Sequence, residues 1–80
     1  MKQDEKDFLV EIFKTNKKPR EIINSSDFEI NYKRAWFLLR KWCDKDIYDY
    51  GVTLDLGWLT EDGECLALKL LQEGIVNNEI

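Results

Sequence analysis

The chain has 80 residues, 44% hydrophobic and 35% charged, the make-up of one small globular domain rather than a disordered segment. Its net charge is −4 and it has no histidine, so Ser-His-Asp and Cys-His triads, histidine-ligated metals and imidazole acid–base catalysis are excluded. No apolar run approaches the roughly 18–20 residues of a membrane span and no signal peptide is recognisable, so the chain is expected to work without a membrane.

The first segment, Asp4 to Lys14, reads as an amphipathic helix. Phe8, Leu9, Ile12 and Phe13 recur at i, i+1, i+4 and i+5, with acids at the start and Lys14 near the end to suit the helix dipole. The run from Thr15 to Lys18 breaks this pattern. Pro19 then suits the first turn of a short second helix carrying Ile22 and Ile23, and Asn24-Ser25-Ser26-Asp27 reads as a loop.

The third helix has the clearest signal. Asn31 is its expected N-cap. Ala35, Leu38, Leu39 and Trp42 form a core stripe, expected to pack Leu38 and Trp42 on Ile12 or Phe13 of the first helix. The opposite face holds Lys33, Phe37, Arg40, Lys41 and Asp44, with Arg34 to one side and Tyr32 and Trp36 on a half-exposed flank. The three tryptophans, Trp36, Trp42 and Trp58, are expected in the core or at its edge.

After Asp46 the period changes to two. Tyr48, Tyr50, Val52, Leu54, Leu56 and Trp58 alternate with Asp49, Gly51, Thr53, Asp55 and Gly57, which predicts a hairpin bending near Gly51–Leu54. Asp49, Asp55, Glu61 and Asp62 are expected to be solvated. Thr60 is the expected N-cap of a last helix that runs to about Glu73 and stops at Gly74. Leu66, Ala67, Leu70 and Leu71 form its inward face. Cys65, Leu68, Ile75 and Val76 fall on the other side and are candidates for a homodimer interface, the alternative being that the chain after Gly74 folds back over Leu68.

Charge is unevenly spread. Residues 1–45 carry eleven Lys/Arg against eight Asp/Glu, or +3; residues 46–80 carry one Lys against eight acids, or −7. Lys14, Lys17, Lys18 and Arg20 form one basic run, and Lys33, Arg34, Arg40, Lys41 and Lys45 a second group. They are either solvated helix faces or the source of a local positive field on an acidic protein.

Little else suggests chemistry. Cys43 and Cys65 are too few for a structural zinc site, which takes about four ligands; they read as buried free thiols of a cytoplasmic protein. Phosphate-binding, dinucleotide and nucleophile-elbow glycine motifs are absent. Asp44-x-Asp46 opens like a calcium loop, but Asp49 stands where that loop needs glycine. No enzyme activity, cofactor or metal is expected.

The run Ala35-Trp-Phe-Leu-Leu-Arg-Lys-Trp-Cys-Asp-Lys-Asp-Ile-Tyr-Asp-Tyr-Gly, followed by Gly57-Trp-Leu-Thr-Glu-Asp-Gly63, resembles a winged helix-turn-helix domain. It is similar to bacterial regulators of the MarR and PadR type, with a leucine-rich helix, a charged turn, a wing and then aromatic-Leu-Thr-x-x-Gly, over roughly residues 8–73. The resemblance implies a mainly α fold with a small β-hairpin, ordered helix-helix-helix-hairpin-helix, that binds double-stranded DNA. The third helix would enter the major groove, with Lys33, Arg34 and Arg40 on bases or phosphates. Asn31, Phe37 and Lys41 would share that surface, Phe37 against a thymine methyl, and Lys17, Lys18 and Arg20 would hold phosphates. A second reading is a winged-helix module that binds a protein partner and no DNA. It is favoured by the net charge, by Phe37 among basic residues, and by residues 46–68, which hold six acids and no Lys or Arg.

Overall fold

A computed structural model describes residues 1–73. Helix α1 spans Gln3–Thr15, α2 Pro19–Ile23, α3 Tyr32–Asp44 and α4 Glu61–Gln72. Between α3 and α4 lie strands β1, Tyr48–Asp49, and β2, Trp58–Leu59, joined through a 3-10 turn at Leu54–Leu56. The protein is thus mainly helical with a small antiparallel hairpin, in the order expected from the sequence.

Local chemistry sets most boundaries. α1 ends where Asn16 turns left-handed (φ 56°) and its N–H reaches the Ile12 carbonyl. Pro19 opens α2, and Glu21 Oε1 accepts from the Lys18 N–H at 3.3 Å. Asn31 Oδ1 caps α3 by accepting from the Arg34 N–H at 3.0 Å. Thr60 Oγ1 caps α4, accepting from the Gly63 N–H at 3.1 Å, and also donates to the Asp46 carbonyl at 2.6 Å. The same hydroxyl therefore starts α4 and fastens it to the turn after α3. Gly63 completes the device, because any Cβ there would overlap the Ile47 carbonyl oxygen. That close approach gives the Leu59-Thr60-x-x-Gly63 run its physical meaning.

α1 has α4 packed along it and α2 touching it, and α3 meets it through side chains, chiefly Trp42 against Phe8. α1 is accordingly buried over a wide arc that takes in Phe8, Leu9, Val10, Ile12 and also Glu5. Trp42 lies at the middle of the core, fully buried, its ring 5.5 Å from Phe8 and 6.5 Å from Tyr48. Ala35, Leu38 and Leu39 are buried with it, as the stripe implied. On α1 the Trp42 ring packs against Phe8, Ile12 is buried in the same core as Leu38 and Trp42, and Phe13 is only partly buried.

The hairpin departs from expectation. Among the described residues only Tyr48↔Leu59 and Asp49↔Trp58 pair, so the long alternating strand does not form. The Tyr48 hydroxyl donates to the Leu54 carbonyl at 2.7 Å and accepts from the Gly57 N–H at 2.8 Å. These bonds draw the connecting loop back onto the body and wind it into the 3-10 turn. Burial pushes the Tyr48 hydroxyl pKa well above its ordinary value. Asp55, expected in solvent, is buried for the same reason. Trp58 is 47% exposed rather than a core residue, and Val52 at the loop's far end is open to solvent.

Both cysteines are free, but Cys43 is only partly buried and Cys65 is exposed, so neither is a core thiol. Leu68 is also exposed on the outward face of α4, while Ala67 and Leu70 are buried. The expected stop at Gly74 and the candidate interface residues Ile75 and Val76 lie outside the described residues.

Candidate nucleic-acid interface

The candidate surface is the outward face of α3. Ala35, Leu38, Leu39 and Trp42 lock one side of the helix into the core, so at about 100° per residue the side chains of Lys33, Phe37, Arg40 and Asp44 must point away. All four are exposed, Phe37 by 58%. Phe37, Arg40, Lys41, Asp44 and Lys45 line a shallow groove of about 420 Å³ along the C-terminal half of the helix. Among the described residues, Lys33, Arg40 and Lys45 have no carboxylate within ion-pair distance.

The other basic candidates are engaged, which the sequence did not foresee. Arg34 forms a two-pronged pair with Asp4 at the start of α1, Nε to Oδ2 at 2.9 Å and Nη2 to Oδ1 at 3.1 Å. Its guanidinium also lies 5.7 Å from the Phe37 ring centroid. The Arg34 hydrogen bonds hold the Asp4 carboxyl below its ordinary pKa. Lys41 Nζ donates to Glu5 Oε1 at 3.2 Å. Glu5 is almost fully buried, and its other oxygen accepts from the Trp42 indole N–H at 2.9 Å. This carboxylate therefore joins the core tryptophan to the basic face.

The α2 group is tied to the hairpin. Arg20 grips Asp55 with two bonds, Nε to Oδ2 at 2.9 Å and Nη2 to Oδ1 at 3.1 Å, and Thr53 donates to the same carboxylate at 2.8 Å. The Arg20 bonds hold Asp55 below the usual carboxylate range against the opposing effect of burial. Lys18 Nζ donates to the Gly57 carbonyl at 3.3 Å and sits 5.5 Å from the Trp58 ring centroid. The Lys17 side chain is exposed, while its backbone N–H donates to Thr15 Oγ1 at 3.3 Å. Asn31 is occupied as the cap of α3. Arg20 and the α3 flank residues Tyr32 and Trp36 line one cleft of about 330 Å³ between α2, α3 and the hairpin loop.

The structure thus brings Lys33, Arg34, Phe37, Arg40 and Lys41 onto one helix face, and leaves Lys33, Phe37 and Arg40 as its open members. Sequence reasoning missed Asp4, Glu5 and Asp55. Glu5 carried a signal: it stands at i, with Leu9 at i+4 and Ile12 at i+7, on the apolar stripe of α1. An acid on such a stripe needs a buried donor. Asp55 carried none, since alternation assigned it to the outer face.

Among the described residues no cluster of three or more His, Cys, Asp or Glu could hold a metal ion, and no helix is long and apolar enough to cross a membrane. Comparison with protein-family models, with curated proteins and with solved structures finds no match.

Proposed function

We propose that the protein is a small winged helix-turn-helix DNA-binding protein, a cytoplasmic transcriptional regulator that docks α3 in the major groove of double-stranded DNA. The observation that carries this reading is the outward face of α3, where Lys33 and Arg40, on either side of exposed Phe37, have no ion-pair partner among the described residues of a chain of net charge −4. A helix backed this firmly by a core and open along a basic stripe has the form needed to enter a groove about 12 Å wide. Lys33 and Arg40 contact phosphates or base edges, and Phe37 packs on a thymine methyl. Arg34 and Arg20 join by exchanging a carboxylate for a phosphate, and Lys17 adds a backbone contact. Asn31 acts by holding the first turn of α3, and Lys18 by holding the hairpin, rather than by touching DNA. The exposed Cys65 and Leu68 of α4 are the proposed homodimer contact, which would set two α3 helices about 34–36 Å apart on a pseudo-palindromic site.

Fluorescence polarisation with a labelled random duplex tests the reading. The double variant Lys33→Ala/Arg40→Ala should lose at least about tenfold in affinity, while Glu61→Gln, far along the chain on α4, should lose none. Equal binding by wild type and the double variant would reject α3 as the docking helix.

A second reading, a protein-interaction module, is supported by one further observation. Phe37 and Trp58 are both about half exposed, and three of the basic side chains proposed for DNA are already paired. Aromatic side chains rimmed by arginine and lysine suit a protein partner.

A further inference from the structure

Of the two pairs that join the basic face to α1, Asp4–Arg34 is the one open to solvent on both sides, since Glu5, the partner of Lys41, is buried. Arg34 points along the outward side of α3 beside Phe37, and the carboxylate that meets it comes from α1, 30 residues away in sequence. The Nε–Nη2 edge of the guanidinium is taken up by the two carboxylate oxygens, at 2.9 and 3.1 Å. Two parallel bonds from one guanidinium to two oxygens are also how arginine holds a phosphate. The pair is not sealed: the Asp4 side chain is 49% exposed and that of Arg34 28%. A carboxylate in that setting is held weakly enough to be replaced by a competing anion.

We propose that Asp4 is an internal stand-in for a DNA phosphate. In the free protein it occupies the fork of Arg34; when duplex DNA docks on α3, a backbone phosphate takes its place and Asp4 is released to solvent. Asp4 is thus an affinity-setting residue that acts through Arg34 and touches no base. This inference rests on the DNA-binding reading above. Masking lowers the affinity of a positively charged face for any polyanion, so that only a duplex that also engages Lys33 and Arg40 displaces the carboxylate. Contacts made in this way favour a docked, oriented complex over loose electrostatic attachment.

The test is polarisation with a labelled random duplex on four proteins: wild type, Asp4→Asn, Arg34→Ala and the double variant. Asp4→Asn should bind about two- to fivefold more tightly than wild type, with an unchanged far-UV spectrum and a melting temperature lowered by no more than a few degrees, because an exposed ion pair and a first-turn charge contribute at most about 1 kcal/mol. The gain should vanish in the Arg34→Ala background, where no fork remains to be unmasked. A wild type too weak to measure beside an Asp4→Asn protein that binds would support masking in its strongest form. Equal binding by wild type and Asp4→Asn, with both measurable, would overturn the stand-in while leaving DNA binding intact. So would a gain that persists without Arg34, since it would then report general repulsion by an acid. Failure of both proteins to bind would reject the DNA-binding reading and the stand-in with it.

Discussion

Replacing Glu5 by alanine tests how far one buried carboxylate holds α1 to α3. The Trp42 indole N–H, in a fully buried side chain, has Glu5 Oε2 as its acceptor at 2.9 Å. Removing that acceptor leaves a buried donor unsatisfied, which costs about 1–3 kcal/mol. The bond from Lys41 is lost as well, but the Lys41 side chain is 37% exposed and water can take over, so this adds no more than about 1 kcal/mol. The expected loss is therefore about 1–4 kcal/mol, a large share of the stability of so small a domain, and roughly 5–30 °C in Tm. Glu5→Gln keeps one acceptor for Trp42 but loses the charge and puts an amide NH2 where the oxygen accepting from Lys41 stood, so it should cost less than the alanine change, about 1 kcal/mol. Urea unfolding followed by tryptophan fluorescence, with thermal melts by circular dichroism, measures both. Glu5→Ala within about 0.5 kcal/mol of wild type, or a glutamine variant as damaged as the alanine one, would refute the claim that acceptance from Trp42 is what this carboxylate contributes.

Three further outcomes follow from the geometry. Gly63→Ala should destabilise strongly although alanine is the better helix former by about 1 kcal/mol, because the new methyl would overlap the Ile47 carbonyl; a stabilised variant in a thermal melt would contradict that packing. Asp55 is held below its ordinary pKa by Arg20, so its contribution is present above the unfolded carboxylate value of about 4 and is lost as pH falls through the lower folded value. Asp55→Asn should therefore be less stable than wild type at neutral pH, with the gap closing under acid; a constant gap across the acid range in urea titrations would show the pair contributes nothing through ionisation. Sedimentation at tens of micromolar should give a dimer for wild type and a monomer for Leu68→Glu, and a wild-type monomer would remove the α4 contact.

The sequence made the helices legible because their ends are local events. Pro19, Asn31 and Thr60 each act within one turn of where they stand, and the stripe of Ala35, Leu38, Leu39 and Trp42 follows from helical period alone. The hairpin was not legible beyond its existence. Alternation continues from Tyr48 to Trp58, but the Tyr48 hydroxyl and the Arg20–Asp55 pair decide the path of the loop, and neither leaves a trace in a period of two. The candidate face divides in the same way. Period alone placed Lys33, Phe37 and Arg40 outward. That Arg34, Lys41 and Arg20 are engaged depends on carboxylates 30 to 36 residues away in sequence, a separation at which pattern says nothing.

The claim that α3 docks on duplex DNA is tested most directly by the salt dependence of wild-type binding to a random duplex. Lys33, Arg34, Arg40 and one or two of Lys17 and Arg20 would neutralise a few phosphates, each lowering the slope of log K against log salt by about 0.9. The account predicts measurable binding at about 50 mM salt that weakens by roughly 150- to 500-fold at about 200 mM. Absence of binding at the lower concentration, or an affinity indifferent to salt, would contradict it.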